Sequence, residues 1–231
     1  MNRQQPLALP PPAGGAEWSE QSLLDPATRR ALVSLNHSFL DLAAALADED
    51  RLKLIAGLPL RAIDALIDAD AQRRLCERLP YALFDLRFGD AAYWEGQAAA
   101  LGGVRDSQNQ AAPAADERVV ALVRSALMLA WHLAQVNTLA IRLVFGAVPG
   151  SAAVLRSLSV GAVDALARRV APVLAARFGA RTRFWVQFEG CAADPCEESV
   201  NVLQLLGLQI QGAESARQQA LQRRFRRALP A

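Results

Sequence analysis

The residues of this 231-residue chain with chemistry beyond packing are two histidines, three cysteines, a few clustered carboxylates and an arginine-rich end. His132 lies in an apolar run with Gln135 and Asn137 close by. An imidazole titrating near pH ~6.5 can serve as acid, base or pH sensor. A core or interface histidine with both nitrogens hydrogen-bonded fits the same pattern and is the expectation. His37 and Asp41 stand four apart, hence on one helix face, which is half of a proton relay with no nucleophile placed beside it. Cys191 and Cys196 bracket Asp194 and precede Glu197 and Glu198. Zinc requires a tetrahedron of ligands, and no second close-spaced pair completes one here. Asp64, Asp68 and Asp70 fall on differing helix faces or at a cap and read as solvated acids. The sequence has no glycine-rich phosphate loop and no Gly-x-Ser-x-Gly nucleophile elbow. The expectation is therefore a protein that is not an enzyme, with no catalytic residue, no metal ligand, no cofactor and no identified small-molecule substrate.

The arginines are the most asymmetric feature. Beyond Glu214 the chain carries Arg217, Arg223, Arg224, Arg226 and Arg227 and no acid, although its total net charge is only +2. In helical register Leu221, Phe225 and Ala228 face one way and Arg223, Arg226 and Arg227 another. Such a tail suits phosphate backbones, an anionic surface or an acidic protein. A docked terminal helix with merely solvated arginines is the alternative. Arg181, Arg183 and Trp185 form a second basic and aromatic cluster. Phe184, Val186 and Phe188 beside them read as core.

Helices must position these groups. The chain is 52% hydrophobic and 21% charged, with 6% aromatics, and is rich in the strong helix formers Ala and Leu. That predicts an all-α fold of two helical subdomains and excludes disordered and disulfide-scaffold classes. Residues 1–24 read as a flexible lead, 25–101 as a helical domain, 102–116 as a linker and 117–231 as a second helical domain with a basic end. Asp25-Pro26 marks the first helix start, because Asp caps free N–H groups and Pro has none to satisfy. Leu32, Leu35, Phe39, Leu42 and Leu46 then form one apolar stripe. Shorter helices follow, one of them from about Asp70 to Leu79, stopped by Pro80. Tyr81–Phe88 and Arg181–Glu189 have no clear period. Asp90 is placed to cap a helix through Tyr93 and Trp94.

The second half opens with the longest helical pattern, Glu117 to about Phe145, apolar on most of its circumference. Such a helix is buried centrally or shared with a partner, so Leu129, Trp131, His132, Leu133 and Val136 are candidate interface residues. Its uncharged core, Ser125–Ile141, is interrupted by His132, Gln135 and Asn137 and reads as a buried helix rather than a transmembrane span. Ser151–Leu158 and Ser159–Phe178 read as two more helices. Asp194-Pro195 repeats the start signal of Asp25-Pro26 and opens a final helix, with breaks expected at Gly207 or Gly212. Three cysteines and no apolar leader point to a reducing, cytoplasmic setting.

One internal echo stands out: residues 58–66 against residues 158–166, each followed by Arg-Phe (Arg87-Phe88 and Arg177-Phe178). A true duplication would give a pseudo-symmetric tandem repeat. The second half also resembles the FlhD-type flagellar transcriptional regulators. The resemblance rests on Leu127-Met128-Leu129-Ala130, Leu133, Phe145-Gly146, Leu155, Leu158-Ser159, Val163, Leu166, Ala167 and Arg177-Phe178. A shorter version in the first half ends at Asp85-Leu86-Arg87-Phe88. The family's single copy is shorter than this chain, Ala176 stands where an aromatic is usual, and nothing after Gly179 corresponds. The resemblance implies a bacterial regulator that oligomerises or binds a protein partner and acts with it on DNA. It transfers no DNA-contact residue. A helical adaptor of a secretion or motility system, without nucleic acid, is the alternative.

Overall fold

The computed structural model describes residues 24–49, Ile55, Gly57, 69–102 and 116–228. The chain is all-α, with one pair of two-residue strands. The first helix, α1 (Pro26–Asp48), starts where expected: the Asp25 carboxylate accepts the Ala27 and Thr28 N–H groups at 2.9 and 3.0 Å. The Thr28 hydroxyl donates to the same carboxylate and holds its pKa below the ordinary value. Next come α2 (Ala69–Cys76), β1 (Phe84–Asp85) and α3 (Ala91–Gly102). Asp90 Oδ1 accepts the Tyr93 N–H at 3.0 Å, the predicted cap.

The expected long helix is two helices, α4 (Glu117–Val136) and α5 (Thr138–Phe145). Asn137 divides them. Its backbone is extended, and its side chain accepts N–H groups from Leu139 and Ala140, so it restarts the chain in a new direction. Gly146 closes α5 at φ 68°, a left-handed cap that favours glycine. Then follow α6 (Pro149–Ser157) and α7 (Val160–Val170), the latter capped by Ser159 Oγ. The helix expected from Ser159 to Phe178 stops early because Pro172 has no N–H to donate. A short 3-10 turn (Ala171–Val173) leads into β2 (Ala175–Ala176) instead. The aromatic segment after Arg181 is α8 (Thr182–Ala193). The last helix, α9 (Glu197–Ala228), runs 32 residues without a break at Gly207 or Gly212. Asp194 ends α8 rather than capping α9, and Cys196 Sγ takes the Ser199 N–H at 3.4 Å.

The halves are laid out alike. Asp25 caps α1 and Asp116 caps α4, and α3 and α8 are each 12 residues long. Equivalent residues differ by 91 positions (Asp116 against Asp25, Thr182 against Ala91). At that separation Thr28, Leu32, Phe39 and Ala43 match Val119, Val123, Ala130 and Ala134, all buried. Arg87 and Phe178, the non-glycine residues at positive φ among those described, match too, both at 59°. Each begins the turn into the following helix: Asp90 N–H donates to Arg87 O, and Arg181 N–H to Phe178 O. The strands pair antiparallel, Phe84 with Ala176 and Asp85 with Ala175. That register is the one a two-fold axis between the strands would produce. The separation is shorter than that of the sequence echo, whose first copy, 58–66, lies outside the described residues. The Arg-Phe pairs are therefore offset by one position, Arg87 matching Phe178.

One helix of each half crosses to the other: α3 packs on α6 and α7, and α8 packs on α2. α1 lies against α4, and Arg118 at the start of α4 grips Glu49 at the end of α1 with both nitrogens. Buried residues from Leu24 to Leu203 accordingly merge into one core. Burying such apolar area contributes ~25 cal/mol per Å2. Crossed helices tie that contribution to both halves at once.

Candidate functional site

Four arrangements on this scaffold have exposed or unusual chemistry. The first is the predicted interface on α4. Leu133 points into the core with 1% exposure, so it is not available to a partner. Leu129 and Trp131 are half-buried, and the Trp131 indole N–H is committed to Leu158 O at 2.9 Å. His132 is exposed rather than a core histidine. Val136 is 64% exposed, and Leu139, at the start of α5, is 60% exposed. The exposed apolar side chains at this corner are thus Val136 and Leu139. By length and composition α4 is also the one described helix able to cross a membrane, with half of its apolar window buried inside the protein.

The second is a groove of about 540 Å3 between α5 and α9, lined by Leu139, Leu143, Leu208, Gly212 and Ala216 among others. The third is the outer face and far end of α9. Val202 and Leu205 are exposed, as is Arg217. Arg223, Arg224, Arg226 and Arg227 lie on the last helical turns, with side chains outside the described residues. By register Arg224 stands two turns beyond Arg217, on the same face.

The fourth is a cleft of about 250 Å3 beside the strand pair, where α9 passes over it. The inner stripe of α9 changes character along its length. Val200 and Leu203 are buried, and at Gly207 a Cβ would meet the Tyr81 ring at 2.3 Å. Tyr81 fills that space and its hydroxyl donates to Leu203 O at 2.9 Å. The required close approach explains why glycine sits here without breaking the helix. One turn further the stripe becomes Gln211, Glu214 and Gln218, all lining the cleft.

The cleft floor is Arg177, 6% exposed. Its Nη1 donates to Val144 O at 2.5 Å and to Ala82 O at 3.4 Å, and its guanidinium lies 5.2 Å from the Phe178 ring centre. Burial pulls its pKa down, and Asp85 pushes it back up from beyond ion-pair distance. Among the described residues no carboxylate pairs with Arg177 directly. Arg181 and Glu214, each about half exposed, face one another at 3.7 Å across the mouth. Gln211 donates to Arg142 O, while its own Oε1 is buried and meets no donor among the described residues. Sequence reasoning missed this site because four separate segments supply it. The one local signal was a run of polar residues on a helix face that begins apolar.

The other candidates do not assemble. His37 Nε2 sits 3.4 Å from Arg73 O, and Asp41 is exposed. Cys191 is buried with its thiol directed to Ser199 O at 3.1 Å, and Cys196 is exposed. Ser199 hydrogen bonds hold the Cys196 pKa below the usual thiol value. No cluster of His, Cys, Asp and Glu suited to a metal ion occurs among the described residues. Asp64 and Asp68 lie outside the described residues, as does the side chain of Asp70. Comparison with known protein families, with curated proteins and with solved structures gives no match.

Proposed function

We propose that this chain is a non-catalytic bacterial regulatory protein of the FlhD-like kind, a duplicated helical unit that works through protein contacts and through DNA. The observation that carries the reading is α9. Its 32 residues span about 48 Å, at ~1.5 Å per residue. It is anchored near its start by Leu203, Gly207 and the Gln204 amide, which donates to Arg78 O at 2.5 Å. Past Glu214 it carries five arginines and no acid. An anchored helix with a cationic end suits phosphate neutralisation, which releases counterions and makes binding strongly salt-dependent. The exposed apolar residues Val136 and Leu139, the latter lining the α5–α9 groove, support a protein partner. The residues that carry the family resemblance, such as Leu127, Phe145, Leu155 and Leu166, are buried, so they support the fold implied by the resemblance rather than an activity.

The test is affinity purification of tagged protein from its native lysate, with and without nuclease. The reading expects a stoichiometric protein together with DNA that nuclease removes. A stable protein partner with no nucleic acid would sink the DNA claim and leave an adaptor.

A further inference from the structure

We propose that the cleft beneath α9 is a binding site for a free α-amino acid, held by its carboxylate on the arginine side and by its ammonium on the acidic side. Arg177 is a buried cation with neutral acceptors on one nitrogen and no carboxylate partner among the described residues. A buried charge is stable when paired, and a ligand carboxylate completes the pair with charge-assisted hydrogen bonds. Arg181 stands at the mouth to reinforce it. The same small space holds Asp85 and Glu214, so the lining carries two cations and two anions. Such a balance disfavours a simple anion such as phosphate and favours a ligand carrying both signs. Gln211 lines the same cleft, and its side-chain oxygen meets no donor among the described residues. The volume, about 250 Å3, accommodates a molecule of amino-acid size.

The ligand would bridge two structural units. Arg177 and Arg181 belong to the segment around β2, while Gln211 and Glu214 belong to α9. Occupancy therefore fastens α9 to the strand pair at the point where its inner stripe turns polar. This site is independent of what α9 binds at its far end.

The experiment is isothermal titration of the full chain with each common amino acid, and with acetate and methylammonium as half-ligands. Saturable binding of at least one amino acid is expected below roughly 1 mM, with both half-ligands weaker by about tenfold or more. Arg181→Gln and Glu214→Gln change half-exposed side chains and leave the core intact. Each should weaken the preferred amino acid by about tenfold, and bound ligand should slow amide exchange in α9 around Gln211. No saturable binding by any amino acid overturns the proposal. So does binding that neither variant weakens, or acetate binding as tightly as the amino acid.

Discussion

The first and second halves solve one packing problem in two ways, and the difference separates scaffold from site. In the first half Asn36 is fully buried, and its side-chain amide pins the chain before β1: it donates to Tyr81 O at 3.0 Å and accepts Leu83 N–H at 2.9 Å. The equivalent residue of the second half is Leu127, also buried, and there the chain before β2 is held by its own 3-10 turn, Leu174 N–H to Ala171 O. Beyond each strand the indole of a buried tryptophan closes the turn: Trp94 donates to Arg87 O at 3.1 Å and Trp185 to Arg177 O at 3.2 Å. These matched parts build the body. The unmatched parts gather on one side: Asp85 against Ala176, Leu86 against Arg177, and α9, which has no described counterpart in the first half. What breaks the likeness between halves forms the cleft and carries the arginines.

The strongest way to break the comparison is Asn36→Leu, which installs the second half's residue in the first. If the two solutions are not interchangeable, the change orphans a buried carbonyl and a buried N–H and costs about 3 kcal/mol. Urea denaturation reads this directly. A neutral result would mean that the first half can form the 3-10 turn on its own. Next in size is Gly207→Ala, which drives a Cβ into the Tyr81 ring and is expected to cost about 2 kcal/mol. Hydrogen exchange should then show α9 loosened while α4 and α7 keep their protection.

Trp94→Phe and Trp185→Phe sharpen the comparison. Each removes one indole donor from the turn it closes, on a carbonyl one position earlier in the second half, and each should cost about 1 kcal/mol. Unequal losses would show that the two turns are alike in shape only. The smallest effect belongs to Asp25. Its carboxyl is held below the usual 3.8 by the Thr28 hydroxyl, so the folded pKa lies under the unfolded one. Its contribution is complete above the unfolded value and disappears as pH falls through the folded one. Asp25→Asn retains a capping acceptor and should flatten that part of the acid denaturation curve without moving the neutral-pH midpoint much.

Strong local signals made part of this legible in sequence. Asp25-Pro26 and Asp90 announce helix starts because capping is local, and the stripe from Leu32 to Leu46 predicts the buried face of α1. Asn137 escaped because apolar residues continue on both sides, masking a side chain that ends one helix and caps the next. α8 escaped because an apolar Val186 on its exposed side blurred the period. Its buried Phe184, Trp185, Phe188, Cys191 and Ala192 share one face, as in an ordinary amphipathic helix. Gly207 looked like a helix breaker, yet its missing side chain makes room for a tyrosine more than a hundred residues earlier. The cleft depends on that same long-range assembly and left no contiguous motif.

The proposed function places binding in α9, which has no described counterpart, rather than in the matched body. Fluorescence anisotropy of labelled duplex DNA tests it most directly. The wild-type chain would be compared with a variant in which Arg217, Arg223, Arg224, Arg226 and Arg227 are alanine, and with a control altering the exposed body arginines Arg73, Arg74 and Arg169. Binding should weaken steeply with salt, be lost in the α9 variant and survive in the control. Binding that persists without the α9 arginines, or is lost equally in the control, would contradict it.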